Sequence, residues 1–366
     1  MRDILIVGSV PLASSEAVFR TIAQTLGERV RRMPDGETGE RINWIEFQTP
    51  VFDRHPMFEP APEDEGAKAD WRNAAAGTAW KIKSWHRLRA GVRGADVTFG
   101  PLGYAAAAKR SYEVFARLKR DGVVPQNCRF QVSLPTPYNV IDQRIAPAHR
   151  LEIEKPYERR MLEEVAEIAA TVPHDELAIQ WDTAHEIQNL DGGRPHWFDN
   201  AEAGIVERLA RIGDSVPAGV ELGYHLCYGD FNHRHFIEPK DAGTLVRVAN
   251  TLARRVGRTI DYIHMPVPRD RADDAYFAPL RALALKPGCT LYLGLVHFTD
   301  GVAGTLGRVA AARKVVDDFG IATECGFGRR PPETVPDLLR IHAEVADRMG
   351  GAAPASAQRS KSQRQS

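Results

Sequence analysis

Val220-Glu-Leu-Gly-Tyr-His-Leu-Cys-Tyr-Gly-Asp230 is the stretch that decides the fold. Its apolar and aromatic run has the length of a strand and ends in polar, chemistry-bearing side chains. A segment of helical period, Asp241–Val256, follows it. The same unit recurs in both directions. Downstream lie the strands Thr259–Met265, Thr290–His297 and Ile321–Cys325; upstream lie Leu177–Asp182, Phe130–Pro135, the basic and weaker Arg29–Pro34, and Ile4–Ser9. Further helical patterns fall at Ser15–Leu26, Tyr104–Arg120, Tyr157–Ala170, Ala201–Ile212, Asp274–Leu285, Thr305–Phe319 and Pro332–Met349, several opened by the Ser, Asp or Pro that helix starts favour. Eight strands, each followed by a helix, predict an α/β chain folded as a (β/α)8 TIM barrel. The rival is a doubly wound open sheet, which would normally carry a glycine-rich phosphate turn. Neither G-x-G-x-x-G nor G-x-x-x-x-G-K-[ST] occurs.

The barrel is expected to occupy residues 1–349 as one domain. The stretch 49–103, rich in Pro, acidic residues and Trp, reads as an insertion with a helical piece near Ala79–Leu88 and a β-like Asp96–Phe99. Following the second strand, it would lie over the C-terminal mouth as a lid or as part of a homodimer interface, roles that exposed Trp71, Trp80 and Trp85 would suit. Residues 350–366 are low-complexity and predict a disordered tail.

The 366 residues carry 48 basic and 48 acidic side chains. This balance provides no field for collecting polyanions, so neither a nucleic acid nor a membrane surface is expected as partner. No apolar run of about 18 residues is present to span a bilayer, and the N-terminus enters a strand without a signal-peptide core. A cytoplasmic protein is expected. In a reducing compartment the four cysteines, Cys128, Cys227, Cys289 and Cys325, serve as core filler, ligand or nucleophile.

In such barrels the active site stands at the C-terminal strand ends. Those ends hold Ser9, Asp35-Gly36-Glu37, Asp182, His185, His225, Cys227, His264, His297, Asp300, Glu324 and Cys325, a concentration that argues for an enzyme. In His225-x-Cys227, residues i and i+2 of a strand project on one face and can converge on one metal ion, with Cys325 as a third ligand. A nitrogen and sulfur set of this kind selects zinc, and three protein ligands leave an exchangeable fourth position. A core cysteine beside a hydrogen-bonded histidine fits the same motif. His297 and Asp300 form a candidate general-acid pair. Arg329-Arg330 and His233-Arg234-His235 offer positive charge at the rim, and Cys128 and Cys289 are assigned to structure.

The order Gly8-Ser9, Asp35-Gly36-Glu37, Gln180-Trp181-Asp182, His225-x-Cys227-Tyr228-Gly229 and Glu324-Cys325-Gly326 resembles the catalytic half of cobalamin-independent methionine synthase. More broadly it is similar to the superfamily joining that enzyme to uroporphyrinogen decarboxylase and zinc-dependent alkyl-thiol transferases such as epoxyalkane:coenzyme M transferase. The resemblance implies a Zn2+ cofactor, a small-molecule thiol as acceptor and a methyl or alkyl donor. It implies His225, Cys227 and Cys325 as zinc ligands, with Ser9, Glu37 and Asp182 holding the carboxylate and amino groups of homocysteine. Where the family places a zinc-ligating glutamate after strand six, this chain reads Ile263-His264-Met265-Pro266. His264, Glu324, water or the substrate is left to complete the metal's shell. Two other readings stay open: a metal-free decarboxylase or lyase using Asp182 or Glu37 with Arg41 and Arg329, and a decayed, non-catalytic barrel.

Overall fold

Seven of the predicted strand segments pair side by side in one parallel sheet in the computed structural model, which describes residues 3–62, 85–192, 195–231, 234–235 and 237–351. The strands, in spatial as well as chain order, are β1 (Arg32–Pro34), β2 (Arg129–Pro135), β3 (Leu177–Asp182), β4 (Glu221–His225), β5 (Tyr262–Pro266), β6 (Thr290–Val296) and β7 (Gly320–Thr323). The first predicted strand, Ile4–Ser9, does not form a ladder. Ile4 instead makes parallel bridges to both Val30 and Ile321, beside the two edge strands of the sheet. Beyond Leu5 its carbonyls turn to side chains: the amide of Gln131 donates to Ile6 O and Val7 O, and that of Gln180 to Val7 O.

The helices between strands are α1 (Ser15–Leu26), α2 (Tyr104–Arg120), α3 (Arg150–Thr171), α4 (Ala201–Asp214), α5 (Gly243–Arg255), α6 (Gly301–Ala312) and α7 (Val335–Gly351). Caps set several starts. Ser14 Oγ accepts from Ala17 N–H at 3.2 Å, and Asn200 Oδ1 from Ala203 N–H at 3.0 Å. The helix α3 begins at Arg150 and runs through Pro156, whereas the sequence pattern opened it after the proline. After β5 the expected helix Asp274–Leu285 is a short α-turn, Asp274–Phe277, that continues as the 3-10 segment Ala278–Ala282 with Pro279 near its start.

The insertion differs from expectation. Phe58–Pro60 pairs antiparallel with His86–Leu88, so the end of the predicted Ala79–Leu88 helix is a strand. Gly94–Asp96 is a 3-10 turn in place of a β-like Asp96–Phe99. Trp85 is buried rather than exposed, within reach of the Arg150 guanidinium. Trp71, Trp80 and the tail from 352 onward lie outside the described residues. No helix among the described residues is long and apolar enough to cross a membrane.

Two layers of burial hold the sheet. Helix faces such as Val18, Phe19 and Ile22 of α1 pack on one side. On the other, Leu5, Val7, Tyr262, Tyr292 and Ala322 form a separate small cluster. At the N-terminal strand ends the buried Arg32 guanidinium pairs with Glu221, lies 4.2 Å from the Tyr262 ring centroid and donates to Tyr292 Oη at 3.3 Å. Gly223 makes room for this plug, because a Cβ there would collide with the Tyr262 ring. With one end of the sheet filled, chemistry is confined to the other.

Candidate metal centre and its cavity

Polar side chains step upward from the plug. Tyr262 O–H donates to Gln180 Oε1 at 3.2 Å, which fixes the amide so that Gln180 Nε2 donates to Val7 O at 2.6 Å and to Asp182 Oδ1 at 2.7 Å. The parallel register then aligns the strand tops, with Asp182 beside His225 and His225 beside His264. Here the sequence-predicted ligands meet. Ligand atoms of His225, Cys227 and Cys325 all lie within 4.8 Å of one another, and the two sulfurs are 3.9 Å apart. A tetrahedral zinc ion with Zn–S bonds of about 2.3 Å requires its sulfurs about 3.8 Å apart, so this donor set fits zinc in type and in spacing.

Local bonds hold the cluster in place. Thr183 Oγ1 accepts from Cys227 N–H at 3.1 Å and donates to His225 O at 3.1 Å, tying the end of β4 to β3. Cys227 Sγ accepts from Gly229 N–H at 3.3 Å, and Arg329 reaches within 4.0 Å of Cys325 Sγ. These contacts seat the two sulfurs at the mouth of the cluster, in position to serve as metal ligands. By contrast, burial pushes the Cys128 and Cys289 thiols up to about 12, as suits core filler.

His264 stands behind the cluster rather than in it, with Nδ1 2.6 Å from His225 Nδ1. Burial drives its imidazolium down to about 3 against a hydrogen bond to the Thr323 backbone, so the ring is neutral at ordinary pH. With Nδ1 of His225 engaged, Nε2 is the atom that residue has to offer a metal. Glu324 is also turned aside: one oxygen takes Arg330 at 2.9 Å and the other lies 3.3 Å from His297 Nδ1.

The cluster opens into a cavity of about 840 Å³, counting its mouth, whose wall includes Ser9, Glu37, Asp182 and Arg329. Ser9, Glu37 and Asp182 thus line the same cavity as the two cysteines. Ser9 Oγ accepts from Gly328 N–H at 3.2 Å, binding the first segment to the loop that carries Cys325. Glu37 sits on a turn held by Asp35, whose Oδ1 accepts its N–H at 2.9 Å, while Arg41 and Ser111 clasp the other oxygen of Asp35. At φ 49° Glu37 occupies the left-handed region that side chains avoid, a strain maintained at the cavity wall. Burial, reinforced by the neighbouring Asp35 charge, raises its carboxyl to about 8 against Arg41 and Arg329. Burial and the Glu37 charge likewise hold Asp182 well above the usual carboxylate range.

His297 and Asp300 are near enough to feel each other's charge, but each makes its close contacts with other partners and neither lies on the cavity wall. His297 Nε2–H donates to Val267 O at 2.9 Å, and Asp300 is locked in a bidentate pair with the buried Arg308 at 2.6 and 2.8 Å. Of the two rim arginines only Arg329 faces the cavity, and the side chains of His233-Arg234-His235 lie outside the described residues. The sequence reading gave His185 no role, yet it lines the cavity with Nδ1 2.8 Å from Asp142 Oδ2. The His-Asp partner sits in a helix, Pro137–Arg144, whose short apolar pattern was not separated from the strand before it.

No family model matches the sequence, and no curated protein matches it significantly. Solved structures do share the fold. The B12-independent methionine synthase from Shewanella sp. W3-18-1, in complex with selenomethionine, superposes with a TM-score of 0.61 at 15% identity, over 95% of this chain and 97% of that one. A candidate vitamin-B12 independent methionine synthase from Listeria monocytogenes gives 0.55 at 13% identity, over 96% and 99%.

Proposed function

We propose that this chain is a zinc-dependent methyl or alkyl transferase with a small-molecule thiol as acceptor, built on a barrel that the Ile4 segment closes. The observation that carries the reading is the His225, Cys227 and Cys325 cluster opening directly into the cavity. Its likeness in fold to methionine synthases supports it. Zinc, when bound, would favour the deprotonated, nucleophilic form of the acceptor thiol at neutral pH. The three residues would hold the ion, His264 would orient His225 from behind, and the fourth position would belong to the acceptor.

The surrounding residues do the positioning. Arg329 pairs with a carboxylate of the acceptor, and Glu37, Asp182 and Ser9 receive its amino group. An ammonium entering beside Glu37 favours the carboxylate, so the carboxyl proton is released to solvent and an ion pair takes its place. Ile42, Trp44 and Ile45 give the cavity an apolar part of its wall, which would limit water near the reacting carbon. Of the two arginines that the metal-free decarboxylase reading would use, Arg329 is on the cavity wall, whereas Arg41 is paired with Asp35.

Thioether formation tests the proposal. Zinc-loaded wild type, incubated with homocysteine or simple thiols and with N-, O- and S-methyl donors, is expected to give a methyl thioether by mass spectrometry. Cys325→Ala is expected to give none. Equal product from that variant would contradict the proposal.

A further inference from the structure

We propose that His185, oriented by Asp142, carries the proton from the acceptor thiol to the leaving group of the alkyl donor. This rests on the transferase reading above and adds to it the group that completes the proton balance. Alkyl transfer to a thiol releases a proton at sulfur and, for most donors, consumes one at the departing heteroatom. The residue expected to handle it from the sequence, His297, is tied to Val267 and Glu324 and stands off the cavity wall. Among the described residues of that wall the histidines are His225 and His185, and His225 belongs to the cysteine cluster.

Three elements converge to fix His185. Its backbone N–H, at the start of the helix His185–Leu190, donates to Asn139 Oδ1 at 2.9 Å. Its Nδ1 lies 2.8 Å from Asp142 Oδ2 in the helix Pro137–Arg144. The other Asp142 oxygen takes Arg150 Nη1 at 2.6 Å, and Arg150 is bound further to Ile145 O and Asp142 O. Its guanidinium lies 5.3 Å from the ring centroids of both Trp85 and Trp197. A fully buried carboxylate at ion-pair distance from Nδ1, balanced by a fixed guanidinium, favours a proton on that nitrogen, which assigns the exchange to Nε2. Asp142 is thus a positioning residue.

The step balances. The acceptor S–H proton passes to His185 Nε2, the sulfur pair forms the new S–C bond, the C–X pair leaves with X, and the His185 proton then neutralises X. The thiol and the donor become a thioether and HX, and the imidazole returns to its starting state.

The test is a proton count on the full chain loaded with cobalt as a coloured substitute for zinc. Adding 2-mercaptoethanol in weakly buffered indicator solution at neutral pH is expected to change the visible cobalt spectrum of wild type, His185→Gln and Asp142→Asn alike. Wild type is expected to release close to no protons per thiol bound, His185→Gln close to one, and Asp142→Asn a value between. With a donor that needs protonation, the His185→Gln rate should fall by roughly 10²- to 10⁴-fold. Equal proton release from wild type and His185→Gln would overturn the assignment. So would loss of cobalt from both variants, since the pair would then be structural. No cobalt response to thiol in wild type would instead contradict the transferase reading itself.

Discussion

Replacing Glu37 by Gln keeps the shape of the turn and removes one buried titrating group, so it isolates the consequence of placing a carboxyl on the cavity wall. The folded-state acidity lies at about 8 against an ordinary 4.5, with burial the leading cause. Below pH 4.5 Glu37 is protonated in both folded and unfolded chains and its neutral form fits the wall. Between 4.5 and 8 the unfolded chain loses this proton and the folded chain keeps it. The folded state then binds more protons, and stability falls as pH rises, by about 1.4 kcal/mol for each pH unit. Across the window the wild type should lose on the order of 5 kcal/mol relative to Glu37→Gln, and the difference should level off above pH 8. Asp182 titrates in both proteins and largely cancels. The assay is urea unfolding of both proteins at pH 4.5, 6, 7 and 8.5, under identical metal conditions. A stability difference that stays flat across this range would refute the buried-carboxyl argument.

Thr183→Val strips the hydroxyl that accepts from Cys227 N–H and donates to His225 O; zinc affinity measured by chelator competition should fall about 10- to 100-fold, with a stability loss of roughly 1–3 kcal/mol in urea. Arg32→Met removes the buried guanidinium at the far end of the sheet, though Glu221 keeps Arg129 at 3.1 Å, and should cost about 1–3 kcal/mol in the same unfolding assay, while metal affinity stays unchanged. In the metal-free protein at pH 8, iodoacetamide should modify Cys325 first. Cys128 and Cys289, whose thiols are pushed up to about 12, should hold a thiolate fraction of only about 10⁻⁴ and remain unmodified by peptide mapping.

The parallel sheet was legible in the sequence because its strands are largely buried and read as mainly apolar runs whose tops carry a cluster of chemistry-bearing residues. The cluster was legible because the His225-x-Cys227 spacing at the end of a strand suggests two side chains on one side, and Cys325 follows the last strand; in the structure β4 ends at His225 and Cys227 lies just beyond it. What escaped depended on contacts between distant segments. Ile4–Ser9 has a strand's composition, yet side-chain amides from Gln131 and Gln180 take the carbonyls of Ile6 and Val7. His297 and Asp300 are close in sequence, yet their close contacts are with Val267, Glu324 and Arg308 rather than with the cavity. His185 finds Asp142 across 43 residues of chain, a pairing that no local spacing announces.

The central claim is that His225, Cys227 and Cys325 hold one zinc ion. Metal content by mass spectrometry, on protein purified without added metal or a chelating tag, tests it for wild type beside Cys227→Ala and Cys325→Ala. The account predicts one zinc per chain in wild type and its loss in both variants. Full zinc loading in either variant, or none in wild type after anaerobic reconstitution, would contradict it.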